Sequence, residues 1–168
     1  MTIKQAIKIL KNGAVGVIPT DTIYGLVGQA LKLEIVARIY ALKHRRPKKP
    51  SIVLISDIAD LKKFNLRLTR TRLKTIKRFW PGSTSIIFNK TIACRLPAPS
   101  WLRRLLKQTG PLIAPSANPE GRPAAQTITQ ARKYFGDQVD FYLDGGQLDN
   151  KPSRLVAIKN GKIITIRP

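Results

Sequence analysis

With 168 residues, 43% of them apolar, the chain is long enough for one domain with a real core, which excludes a disordered basic tail. A single cysteine, Cys94, and a single histidine, His44, exclude a disulfide framework and a zinc site built from such ligands. Lysine and arginine number 31 against 9 aspartates and glutamates, a net charge of +22 that draws polyanions such as ATP, RNA or an anionic membrane surface, and that also suits plain solubility.

Thr2 followed by Gln5 is a capping-box pattern, and Ile3, Ala6, Ile7 and Leu10 then form one apolar stripe of a first helix that stops at Gly13. A short apolar strand, Ala14 to Ile18, ends at Pro19. Ile35, Ile39 and Leu42 mark a second helix, followed by a buried strand at Ile52 to Ile55. Leu73, Ile76 and Trp80 share one face of a third helix that ends at Pro81-Gly82. Strands are expected at Thr84 to Phe88 and Ile92 to Leu96, then a helix holding Leu102, Leu105 and Leu106, and a strand at Leu112 to Ala114. A helix over about Thr127 to Phe135 and a strand at Phe141 to Leu143 follow. Leu155 to Ile158 and Ile163 to Ile166, joined by Asn160-Gly161, read as a closing hairpin. Strands alternating with helices predict a single α/β domain over residues 1–168, and the hairpin makes its sheet mixed. Lys4, Lys8 and Lys11 break up the N-terminal apolar residues, so no leader is read there. No apolar run approaches the ~20 residues of a membrane span, and the expectation is a cytoplasmic protein.

Charge is distributed unevenly. No acid lies between Asp60 and Glu120, while that stretch carries thirteen cations from Lys62 to Lys107. Three segments concentrate chemistry. The first, Pro19-Thr20-Asp21-Thr22-Ile23-Tyr24-Gly25-Leu26, follows a strand and packs two hydroxyls, a carboxylate and a phenol into five residues. It reads either as a loop held by side-chain turns or as a ligand site at a strand end. The second, Lys43-His44-Arg45-Arg46-Pro47-Lys48-Lys49-Pro50, clusters cations after a helix and can hold a triphosphate or carboxylate, or remain a solvated basic loop. The third, Ile113 to Gly121, sets Ser116 and Asn118 among small residues after a strand. The sequence offers no Ser-His-Asp or Ser-Lys pattern to make Ser116 a nucleophile, so its expected role is binding, and no catalytic residue is assigned.

These segments, taken in order with Trp80-Pro81-Gly82, Thr91 through Arg95 to Pro97, Ser116-Ala117-Asn118 with Gly121, Asp144-Gly145-Gly146 and Ser153, resemble the YrdC family of threonylcarbamoyl-AMP synthases over about residues 5–167. The resemblance is to the short form of that family. It implies a twisted mixed sheet with flanking helices around an open basic cavity, where threonine and ATP bind side by side. By position, Thr20, Arg95 and Ser116 would hold threonine. Lys43, Arg45, Thr91, Ala114 (through its backbone), Asn118 and Ser153 would stand on the ATP side, with Thr22 and Tyr24 shaping the pocket wall. The resemblance further implies bicarbonate or CO2 as third substrate, Mg2+ accompanying ATP, no tightly bound cofactor and no metal held by protein ligands. Its product would pass to threonylcarbamoyl-transferase machinery acting on tRNA. Arg46, Ser51, Glu120 and Arg154 stand where the family has proline, leucine, serine and threonine. A competing reading is an RNA-binding or assembly factor of the same fold, with tRNA or double-stranded RNA as partner. Phe79, Trp80, Trp101, Tyr134 and Phe135 count against it, because they fall at core spacing and not on a stacking face.

Overall fold

In a computed structural model, which describes residues 1–44, 50–159 and 162–168, the Thr2 capping box is formed. Gln5 N donates to Thr2 Oγ1 at 3.3 Å and Thr2 N donates to Gln5 Oε1 at 2.8 Å, opening helix α1 (Ile3–Lys11). The other described α-helices are α2 (Leu33–Leu42), α3 (Arg70–Ile76), α4 (Ser100–Thr109) and α5 (Ile128–Phe135). They alternate with strands β1 (Gly16–Ile18), β2 (Gly25–Gln29), β3 (Ser51–Leu54), β4 (Thr84–Ile87), β5 (Ile92–Arg95), β6 (Leu112–Ile113), β7 (Phe141–Tyr142), β8 (Arg154–Lys159) and β9 (Lys162–Arg167).

The strands form one twisted sheet in the order β7-β1-β2-β6-β3-β5-β4-β8-β9. The pairs β1–β7, β3–β5 and β4–β8 are parallel and the rest antiparallel, so the sheet is mixed as expected. The closing hairpin is β8–β9, in register from Lys159 opposite Lys162 to Val156 opposite Thr165 and shifted by one residue at Leu155 opposite Arg167; its turn residues 160–161 lie outside the described residues.

Side chains alternate across a strand, and that alternation sorts the core into layers. Ile18, Val27 and Leu112 join Ala6, Ile7 and Leu10 of α1 and Leu102, Leu105 and Leu106 of α4 on one face. Val17, Leu26 and Ile113, one residue over, pack on the other face with Ile35 and Ile39 of α2 and Ala131 and Phe135 of α5. Each such leucine or isoleucine contributes about 1.5–3 kcal/mol by leaving water. In the second half of the sheet, Val53, Cys94, Ile86 and Val156 pack against Leu61, Ile76 and Trp80. Burial there pushes the Cys94 thiol up to about 12, which leaves it a small apolar core residue. The alternate residues of those strands, Ile52, Ala93, Arg95 and Leu155, turn to the opposite face and line a cavity.

Three features differ from the sequence reading. Strand β2 has no counterpart in that reading, its first two residues falling in the segment read as a loop or a ligand site, and the 3-10 segment at Ile58–Phe64, capped by Asp57, has none either. Helix α3 stops at Ile76, so Trp80 reaches the core from the following turn, where its indole N–H donates to Thr84 O at 2.7 Å. Burying Trp80 needs that hydrogen bond, and a continued helix would not supply it.

Candidate active site

Between β1 and β2 the chain turns tightly on its own side chains. Thr20 Oγ1 donates to Ile23 O at 2.7 Å and accepts from Thr22 N at 3.2 Å, and the two threonine hydroxyls lie 3.1 Å apart. Arg95, the last residue of β5, reaches into this turn. Its Nη1 donates to Thr22 Oγ1 at 3.2 Å, and Nη2 donates to Thr20 Oγ1 at 3.4 Å and lies 3.0 Å from Asp21 Oδ1. Burial pushes this guanidinium below its ordinary value; the Asp21 carboxylate opposes that shift and Arg167 adds to it. The first motif is therefore a side-chain turn and also a wall of the cavity.

Tyr24 ties the same turn to the Asp-Gly-Gly segment. Its hydroxyl donates to Gly146 O at 2.7 Å, lies 3.2 Å from Asp144 Oδ1, and accepts from Gly145 N at 2.9 Å. Burial, with Asp144 adding to it, holds the phenol above its ordinary value, against the opposing Gly145 N–H bond. Gly145 is there because a Cβ would stand 2.6 Å from the Pro19 ring. Tyr24→Phe strips one hydroxyl from three partners and should cost about 1–3 kcal/mol of stability. Denaturant unfolding checks this; a midpoint unchanged from the unaltered chain would contradict the latch.

The third motif is held beside the first by backbone pairing. Leu26 N donates to Pro115 O at 2.9 Å and Ala117 N to Tyr24 O at 2.8 Å, with Gly25 bridged to Ser116. Lys43, at the end of α2, is 3% exposed and runs beneath this turn. Its Nζ donates to Ser116 O and Asn118 O, each at 2.5 Å, and to Asn118 Oδ1 at 3.3 Å, while its own carbonyl accepts from Glu120 N at 2.8 Å. Asn118 spends its amide on Pro119 O and Arg122 O, whereas the Ser116 hydroxyl has no partner among the described residues.

Thr20, Thr22, Tyr24, Arg95, Ala114, Ser116, Asn118 and Ser153 all line one cavity of about 330 Å³, a size within the range of small-molecule sites. Lys43 and Thr91 do not line it. Lys43 is a strut under the turn, because three oxygens there need a donor. Thr91 sits in the β4–β5 turn with its hydroxyl 3.0 Å from Asn89 Oδ1, so the turn has already taken that group. Arg45 lies outside the described residues.

The family model for the Sua5, YciO and YrdC proteins, described as telomere recombination, matches residues 8–168. The chain belongs to this family. A threonylcarbamoyl-AMP synthase of Pseudomonas fluorescens is 30% identical over 176 residues, spanning 96% of this chain and 95% of its own. A putative threonylcarbamoyl-AMP synthase of Methanocaldococcus jannaschii is 30% identical, spanning 98% and 86%. Pyrococcus abyssi Sua5, solved as a complex with L-threonine, superposes with a TM-score of 0.86 at 25% identity; the match covers 99% of this chain and 53% of that one. The chain thus spans about half the length of that relative. Escherichia coli YciO shares the fold, with a TM-score of 0.86 at 22% identity over 98% of this chain and 87% of that one.

One residue in this YrdC-type cavity escaped the sequence reading. Arg167 of β9 lines it, with Nε and Nη2 donating to Ser153 O at 3.1 and 2.8 Å; Ser153 Oγ in turn meets Ser85 Oγ at 2.9 Å. Burial pushes the Arg167 guanidinium below its ordinary value. A period-two count along the closing hairpin points the other way, placing Arg167 with Thr165 on the face of Val156; a register shift between Leu155 and Val156 sets it opposite Leu155 on the cavity side, and no local sequence signal marks that shift. Among the family departures, Arg154 is exposed and donates to Thr165 Oγ1 at 2.9 Å outside the cavity lining, and Ser51 donates to the Tyr40 hydroxyl at 2.8 Å. Two guanidinium groups and several hydroxyls line the cavity, with no carboxylate among its described lining residues, and such donors can hold carboxylate or phosphate groups.

Proposed function

We propose that the chain makes L-threonylcarbamoyl-AMP from threonine, bicarbonate or CO2, and ATP, releasing pyrophosphate. The observation that carries this is the convergence of the first and third motif segments, joined by Pro50 at the end of the second, on one cavity bearing Arg95 and Arg167. Threonine's amine and the carbon source form an N-carboxy carbamate. Its oxygen attacks the α-phosphorus of ATP, a P–O bond to the carbamate forms, and the P–O bond to the leaving pyrophosphate breaks. The difficulty is that anion meets anion. Guanidinium groups stabilise the phosphate charge, and holding both substrates together is worth several kcal/mol for a carbamate that decays in water. Arg95, Thr20 and Ser116 form the threonine side. Arg167, Ser153, Asn118 and the Ala114 backbone form the ATP side, with Lys43 acting through the turn it supports. Mg2+ arrives as the companion of ATP, held by phosphate oxygens and water. The described lining residues offer it no carboxylate.

The direct test is pyrophosphate release, which should require threonine and bicarbonate together with ATP. Threonine should be preferred over serine by about ten- to two-hundred-fold, the usual worth of one methyl group in a pocket. Equal turnover of alanine and threonine would show that the side chain is not read. Ser116→Ala should weaken threonine about ten-fold to a hundred-fold, with the ATP dependence changed less and turnover persisting at saturating threonine. A trapped covalent adduct at Ser116, or an unchanged threonine titration, would contradict that role.

The tRNA destination of the product, its transfer machinery and a cytoplasmic location complete the proposal; no described helix is long and apolar enough to cross a membrane. RNA binding is a second reading favoured by one observation. Helix α3 and its flanks expose Arg67, Arg70, Lys74, Lys77 and Arg78 with no acid in that stretch. Trp80 and Phe135 are buried, so such binding would track phosphates without stacking on these rings. Steep salt dependence of tRNA binding without threonine-dependent turnover would favour it over the enzyme.

A further inference from the structure

Asp21 stands in the most informative motif, yet it does not line the cavity and does nothing that a turn aspartate ordinarily does. Aspartates in turns accept hydrogen bonds from nearby backbone N–H groups. Asp57 does so here, accepting from Ala59 N at 2.7 Å. Asp21 does not: its side chain is 7% exposed, and neither carboxylate oxygen has a hydrogen-bond partner among the described residues. Burying an ionised carboxylate so poorly solvated is costly unless a cation compensates. The cation is Arg95, whose Nη2 lies 3.0 Å from Asp21 Oδ1, an ion-pair distance without hydrogen-bond alignment. The hydroxyls flanking Asp21 in sequence, Thr20 and Thr22, take the Nη2 and Nη1 hydrogens of the same guanidinium. Three consecutive side chains are thus devoted to one arginine.

We propose that Asp21 is a positioning residue that acts through Arg95, fixing the guanidinium at the cavity wall and cancelling its charge, so that attraction for polyphosphate falls mainly to Arg167. Division of labour follows. Arg95 offers oriented donors to a small substrate, while Arg167, exposed to no comparable carboxylate among the cavity's described lining residues, meets the phosphates. Arg167 also adds to the forces that disfavour charge on Arg95, and the Asp21 carboxylate offsets them.

The inference rests on Arg95 belonging to the threonine side. Asp21→Asn keeps the shape and removes the charge. Calorimetric titration of threonine and ATP, separately, into the unaltered chain and this variant is expected to show threonine weakened about ten-fold or more, as for a lost charge partner. ATP affinity should hold or tighten by up to about ten-fold, because a negative charge near the phosphates is gone. Equal weakening of both ligands, or an unchanged threonine affinity, overturns the proposal. A stability cycle adds Arg95→Met and the double variant. Removing both partners of a buried pair should leave a chain more stable than either single variant, and this holds even if Asp21→Asn alone fails to fold. Additive losses overturn the pairing. Failure of the unaltered chain to bind threonine overturns the proposed function instead, and the cycle still decides whether Asp21 serves Arg95.

Discussion

Lys43→Ala is expected to lower threonine-dependent turnover by about a hundred-fold or more, while Lys62→Ala leaves it within about two-fold. Both substitutions remove one positive charge, so a general field effect would treat them alike. Their surroundings differ. Lys62 is exposed on the 3-10 segment. Lys43 is buried, and its ammonium is shared by Ser116 O, Asn118 O and Asn118 Oδ1. Truncating it leaves two turn carbonyls short of a donor, at about 1–3 kcal/mol for each buried unsatisfied group. The turn then shifts, and displacing Ser116 by about 1 Å can cost a hundred-fold by itself. Denaturant unfolding should show Lys43→Ala destabilised by about 2–5 kcal/mol and Lys62→Ala nearly unchanged. Similar kinetic losses from both would mean that the basic segment acts only by long-range attraction.

Arg95→Met should have the largest effect at the cavity itself, lowering kcat/KM for threonine by about a hundred- to a thousand-fold. That corresponds to about 3–4 kcal/mol, within the range for truncating one partner of a buried, hydrogen-bonded charge pair. The change removes the donors that order Thr20 and Thr22 and leaves Asp21 buried without its cation. Arg95→Lys keeps the charge but loses the planar two-pronged geometry, so it should recover no more than about ten-fold. The ATP dependence should change far less, because Arg167 and Ser153, on the β8–β9 side of the cavity, are left in place. A parallel loss for both substrates would show that Arg95 holds the whole cavity open and does not belong to one side of it.

The sequence was most legible where local chemistry and periodicity agree. The helix stripes of α1, α2 and α4 and the closing hairpin follow from spacing alone, and eight motif side chains do meet at one cavity. Strand β2 was hidden for a physical reason. It begins inside a motif, contains Gly25 and Gly28, and is buried along Gly25 to Gly28, so it shows neither alternation nor a β-branched run. Lys43 was visible as a cation at a helix end, but its use as an internal strut depends on residues more than seventy positions away. Arg167 was hidden by distance too: it joins Arg95 only because β8 pairs with β4 and β9 with β8. Trp80 misled in the opposite sense, since helical spacing placed it correctly in the core while the helix itself had ended at Ile76.

The most direct measurement is mass spectrometry of the reaction of the chain with ATP, threonine and 13C-bicarbonate. The account predicts a threonine-containing adenylate carrying one 13C atom, formed together with pyrophosphate and with no label on the protein. Pyrophosphate release without a labelled adenylate, or 13C or threonine bound covalently to the chain, would contradict it.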